Sequence, residues 1–160
     1  MQDKVIVITG ASAGIGAALA GEVARRGARP VLAARRADAL AGVAARIAGA
    51  IAVVADVTRR ADVERRMAEA LARAGRVDVW VNNAGRGITR PVSELTDDDL
   101  DDMFRVNVKS AVYGMQAALP HFKVRGTGQL VNVSSMLGRV PYVPSRSAYS
   151  AAKHALNALT

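Results

Sequence analysis

Cysteine is absent from this chain of 160 residues, which excludes disulfides, thiolate catalysis and cysteine-based zinc sites at once. Only two histidines occur, His121 and His154, far apart and in no metal-ligand pattern, so no metal is expected. Aromatic residues make up 4% of the chain against 51% hydrophobic residues, so the apolar mass is largely Ala and Val and suits close packing of helix on sheet. No apolar run reaches the roughly 18 residues that a membrane helix requires. Met1 leads into a strand-like segment without a signal peptide's layout, and the sequence reads as cytoplasmic with no membrane partner. Lysine is scarce too: four of 22 basic residues. The net charge of +8 raises the question of a polyanionic partner. Its arginines, however, are scattered as doublets (Arg25-Arg26, Arg35-Arg36, Arg59-Arg60, Arg65-Arg66) that read as solvated faces and loops. Without a basic block or interleaved aromatics, no nucleic acid is expected.

What is present is an alternation. The β-branched run Val5 to Thr9 ends in glycines, helical spacing follows from Ile15 to Arg26, and Gly27 closes it. The pattern repeats as strand 30–34, helix near 38–48, strand 51–55, helix near 60–74 and strand 77–82. A longer helix is expected to start at Thr96, whose side chain caps it beside Asp97, Asp98 and Asp99, and to run toward His121, with Pro120 ending or kinking it. Residues 129–133 read as a fifth strand, 138–145 as a loop, and Ser147 opens a last helix. Regular strand–helix alternation implies right-handed crossovers and a parallel sheet covered on both faces, an α/β doubly wound domain spanning 1–160.

Two stretches carry chemistry. The turn Gly10-Ala11-Ser12-Ala13-Gly14-Ile15-Gly16 joins the first strand to the first helix, where a doubly wound fold sets a pyrophosphate against helix-terminal N–H groups. Its spacing is GxxxGxG and departs from the GxGxxG fingerprint, so it also reads as a tight turn alone. Near the end, Tyr149 and Lys153 stand four residues apart, one helical turn on a single face. An ammonium there can stabilise a phenolate below its reference pKa of roughly 10, allowing proton exchange with an alcohol or ketone. Such a pair also occurs by chance on many helices.

Taken in order, TGASAGIG, Asn82-Asn83-Ala84-Gly85, Asn107, Ser134-Ser135 and Tyr149-x-x-x-Lys153 resemble the short-chain dehydrogenase/reductase family from Val5 to the last residue. The resemblance implies a Rossmann-type sheet of order 3-2-1-4-5. It also implies hydride transfer between a nicotinamide cofactor and a small-molecule carbonyl or secondary alcohol. Tyr149 would be the general acid/base, Lys153 would favour its phenolate and hold the nicotinamide ribose, and Ser135 would hydrogen-bond the substrate oxygen. Asn107 would shape the long helix and position a water between Lys153 and solvent. Ser135 is selected over Ser134 because Met136-Leu137-Gly138 follows it.

The cofactor contacts implied are Gly10, Ser12, Ala13, Gly14, Ile15, Gly16, Asn83, Ala84, Gly85, Tyr149 and Lys153, with Asp56 and Val57 at the adenine. Asp56 reads equally as a cap of the helix after it. Where a carboxylate would hold the ribose of NAD stands Ala34, followed by Arg35 and Arg36. Two guanidiniums and no carboxylate favour NADP(H) over NAD(H), the other reading being two surface arginines.

Family members are usually longer, so the domain is expected to be incomplete at its C-terminus, lacking strands beyond the fifth and most of the substrate pocket. Arg86, Tyr142 and the loop around it are what hint at that pocket. A homo-oligomer, dimer or tetramer, is expected of a full-length form. A non-catalytic NADP(H)-binding or interaction fragment is the alternative to an active reductase.

Overall fold

The computed structural model describes residues 1–140 and 144–160; Tyr142 lies outside the described residues. Five parallel strands, β1 (Val5–Thr9), β2 (Arg29–Ala34), β3 (Ile51–Val54), β4 (Val79–Asn82) and β5 (Gln129–Asn132), form one sheet of order β3-β2-β1-β4-β5. The crossovers are α1 (Gly14–Arg25), α2 (Ala37–Ala44), α3 (Arg60–Ala74), a composite helix of α4 (Asp97–Phe104) and α5 (Ser110–Arg125), and α6 (Ser147–Ala158) after β5.

Strand periodicity sorts the core into two layers. Val5, Val7, Val31, Val53 and Trp80 point to one face, against Val63, Met67 and Ala70 of α3 and Ala118 and Phe122 of α5. Ile6, Ile8, Leu32, Val79 and Val81 point to the other, against Ala20 and Val23 of α1 and Leu40 and Val43 of α2. Each larger side chain so buried contributes roughly 1.5–3 kcal/mol before conformational entropy is counted. A third cluster, Met103, Val108, Ala148 and Ala152, fixes α6 against the composite helix, and so fixes the Tyr149/Lys153 turn.

Several elements depart from sequence expectation for identifiable reasons. α2 stops at Ala44, with 45–48 continuing as turns ahead of Gly49 (φ 73°). β4 begins at Val79 because Val77 spends its polar groups elsewhere: its N–H donates to His121 Nε2 (3.2 Å) and its carbonyl accepts from Arg125 Nη1 (2.8 Å). Pro120 does not end the long helix, which runs through it to Arg125 and closes at Gly126 (φ 69°). The N–H that proline lacks is a single ladder bond, and burial of Ala118 and Phe122 on either side holds the helix.

Thr96 caps α4 as expected, in a reciprocal box: its Oγ1 accepts from Asp99 N (3.2 Å) and its own N–H donates to Asp99 Oδ2 (3.0 Å). Between α4 and α5 the helix widens into a π turn over Arg105–Lys109. Arg66, read as one of a solvated doublet, is 1% exposed: α3 turns it inward, its guanidinium 4.8 Å from the Trp80 ring centre, with Nε and Nη1 unpartnered. Burial lowers its pKa to about 10, an effect that the Asp62 carboxylate only partly opposes.

Candidate active site

The first strand, the fourth strand and the glycine turn meet through Thr9. Its hydroxyl accepts from Asn83 N (2.9 Å) and Ala84 N (2.8 Å), and its carbonyl accepts from Asn83 Nδ2 (2.8 Å). Approach this close requires glycine: a Cβ on Gly10 (φ 68°) would stand 2.9 Å from Ala84 Cα, and one on Gly16 would stand 2.6 Å from Asn83 Nδ2. Gly16 and Asn83 therefore build the crevice without lining it. Asn82, one residue earlier, is buried, accepting from Trp80 Nε1 (2.8 Å) and donating to Asn132 Oδ1 (2.8 Å) across to β5. Thr9 was missed as a functional position; its signal is a hydroxyl directly ahead of the glycine turn.

Beside this junction lies a cleft of about 270 Å³. Gly10, Ser12 and Ala13 form one wall, Ala34, Arg35 and Arg36 a second, Ala55 to Thr58 a third, and Ala84 to Arg86 with Val106 the fourth. α1 begins there at Gly14 (φ 56°) with no side-chain cap on Ala13 and no acidic residue in its first turn, so its N–H groups and positive dipole end are open to an anion. Ile15 is 69% exposed at the same end. Arg35 and Arg36 are exposed and ion-pair with no carboxylate among the described residues; Arg36 Nη2 donates to Ser12 Oγ (3.2 Å), tying the second wall to the glycine turn. These features fit a phosphorylated dinucleotide.

Asp56 does not cap α3. Its Oδ1 accepts from Thr58 N (2.9 Å) and Thr58 Oγ1 (2.8 Å), folding the loop, while Arg59 occupies the N-cap of α3 without a side-chain bond. Arg86 lines the cleft, and its guanidinium pairs with Asp102 (2.8 Å), which also takes Arg105 (2.7 Å).

Tyr149 and Lys153 stand beyond the Gly85 end of the cleft. A Cβ on Gly85 would meet Asn107 Oδ1 at 2.9 Å and Lys153 Nζ at 3.6 Å, so this glycine is the joint between the cleft and the Tyr149/Lys153 pair. Asn107, in the π turn, is buried and fully engaged: Oδ1 accepts from Arg86 N (3.2 Å), and Nδ2 donates to Arg86 O (2.9 Å) and Met103 O (3.0 Å). Lys153 Nζ donates to Val133 O (2.8 Å) and lies 5.7 Å from the Tyr149 ring centre. Burial, at 3% exposure, lowers the lysine's pKa from 10.5.

Ser135 Oγ accepts from Leu137 N (3.2 Å), shaping the turn Met136–Gly138. That turn is stitched to α6 by Ser150 Oγ donating to Leu137 O (2.6 Å) and Asn157 Nδ2 donating to Gly138 O (3.0 Å). Among the described residues no direct bond joins Ser135 to Tyr149. Ser134 Oγ is buried and has no hydrogen-bond partner among the described residues.

The sequence model of the family described as short chain dehydrogenase matches residues 4–160. A Bacillus subtilis protein named uncharacterized oxidoreductase YxnA is 41% identical over 165 positions, which take in 100% of this chain and 46% of that protein. The crystal structure of a short-chain dehydrogenase from Streptomyces avermitilis is similar at TM-score 0.93 and 40% identity, over 99% of this chain and 58% of the other. One from Mycobacterium smegmatis is similar at TM-score 0.94 and 34% identity, over 99% and 69%. The chain thus spans about half the length of the first two.

Proposed function

This chain belongs to the short-chain dehydrogenase family, and from that premise we propose that it serves an NADP(H)-dependent oxidoreductase acting on a carbonyl or secondary alcohol. The observation that carries the proposal is the convergence of Gly85, Asn107 and Lys153 at the end of a phosphate-ready cleft, with Tyr149 on the same helical face. When bound, the nicotinamide supplies or accepts the hydride.

The remaining chemistry belongs to the chain. In reduction Tyr149 gives its phenolic proton to the carbonyl oxygen, the Lys153 ammonium favours the phenolate left behind, and Ser135 donates a hydrogen bond to the same oxygen as charge develops. Asn107 cannot reach substrate, because its amide is spent on Arg86 and Met103. It acts by holding the π turn, which frees a main-chain group for a relay water beside Lys153. The exposed guanidiniums of Arg35 and Arg36, which ion-pair with no carboxylate among the described residues, and Ala34 in place of a carboxylate support NADP(H) over NAD(H). Asp56 and Val57, which line the cleft, are assigned to the adenosine side of the cofactor. A homo-oligomer is proposed as the working form.

A second reading is a chain that binds NADP(H) without turnover, since among the described residues no direct bond joins Ser135 to Tyr149. Titrating NADPH by its fluorescence and then adding a panel of aldehydes and ketones separates the two. Binding followed by NADPH consumption supports the oxidoreductase, binding alone supports the second reading, and no binding refutes both.

A further inference from the structure

Resting on the oxidoreductase reading, we infer that the substrate carries a carboxylate and that Arg146 is the residue that anchors it. Arg146 directly precedes α6, three residues before Tyr149, and α6 projects both toward one glycine. A Cβ on Gly87 would stand 3.3 Å from Arg146 Nη1 and 3.6 Å from Tyr149 Cδ2, so guanidinium and phenol ring flank the same point of backbone. Arg146 is half-buried, and its one hydrogen bond among the described residues is long, 3.5 Å from Nη1 to Ile88 O. It forms no ion pair there, and the sequence of the undescribed stretch, Pro141-Tyr142-Val143, holds no carboxylate.

The neighbouring arginines are accounted for: Arg86 and Arg105 share Asp102, and Arg90 pairs with Asp99. From Met103 to Thr160 the chain contains no Asp or Glu at all, while Arg139, Arg146 and Lys153 all fall in its last 22 residues. A partly desolvated guanidinium without a counter-ion is costly, and its planar fork matches a carboxylate in two parallel hydrogen bonds. Lys153 is committed to Val133 O and the proton-transfer pair, which leaves Arg146 as the cation beside Tyr149 available to a substrate. Arg146 is thus a specificity-determining residue, selecting carbonyl acids or hydroxy acids over neutral analogues.

Calorimetric titration of the NADP⁺-loaded chain with 4-carboxybenzaldehyde and with its methyl ester tests this without requiring turnover. The acid is expected to bind about tenfold or more tightly than the ester, the scale of one charge-assisted pair. Arg146→Gln should erase that preference, leave the ester unchanged and leave NADP⁺ affinity intact, and Arg146→Lys should restore part of it. Equal binding of acid and ester, undetectable binding of the acid, or an unchanged preference in the Gln variant would overturn the inference. So would a loss of NADP⁺ affinity in that variant, which would assign Arg146 to the cofactor. Acid preference without consumption of NADPH would count against the oxidoreductase reading alone.

Discussion

An ammonium that is 3% exposed and held by a single carbonyl, as Lys153 is, gives up hydration that no carboxylate among the described residues returns. Its pKa is lowered by that burial, so the folded chain binds the proton less tightly than the unfolded chain. The penalty is full below the folded pKa and fades as pH rises from there toward 10.5. Lys153→Met should therefore raise stability at neutral pH by about 1 kcal/mol, flatten the rise of melting temperature on the alkaline side, and abolish turnover. A variant no more stable than the parent would show that the Val133 contact outweighs desolvation. At the other end of the cleft Arg35 is exposed and has no ion-pair partner among the described residues. Arg35→Asp should weaken NADPH by about 10- to 100-fold and improve NADH, as expected when a charge-assisted contact becomes a repulsion. Equal NADPH affinities in parent and variant, measured by titration, would remove the case for a phosphate site there.

Among the elements, β1, β4 and α5 are bolted together at Asp78. Its side chain is 13% exposed and accepts from Val5 N (2.8 Å), Arg76 Nε (2.9 Å) and Arg125 Nη1 (3.0 Å). Burial alone would raise its pKa, but the Val5, Arg76 and Arg125 bonds outweigh burial and hold it below 3.8. That stability is present above 3.8 and is lost as pH falls from there through the folded value. Asp78→Ala should cost about 3 kcal/mol in urea unfolding at neutral pH, with a smaller difference from the parent in strong acid. A cost near zero would mean that the two arginines find other partners. Asp78 carries little local signal, because two of its three partners, Val5 and Arg125, lie 73 and 47 residues away. Thr96, by contrast, was legible as a cap because a capping box is written within four residues. The start of β4 was misjudged on the same principle: the apolar look of Val77 does not reveal that His121 and Arg125 claim its backbone.

Across the whole molecule, the sheet and its layers were legible because two periodicities, of strand and of helix, alternate with glycine turns. The face proposed for proton transfer was open to reading because Tyr149 and Lys153 are neighbours on one helix. What sequence hides is meeting across distance: Gly85 against Asn107 and Lys153, Arg86 on Asp102, Gly87 between Arg146 and Tyr149, and Arg66 turned into the core over Trp80. The first of these decides how the cleft and the Tyr149/Lys153 pair adjoin, and that junction is what the functional proposal stands on. Its most direct test is NADPH consumption with a carbonyl panel, run on the parent chain and on Tyr149→Phe together. The account predicts a rate lower by a factor of about 10² or more in the Phe variant, with NADPH affinity unchanged. A Phe variant that consumes NADPH at the parental rate would contradict it.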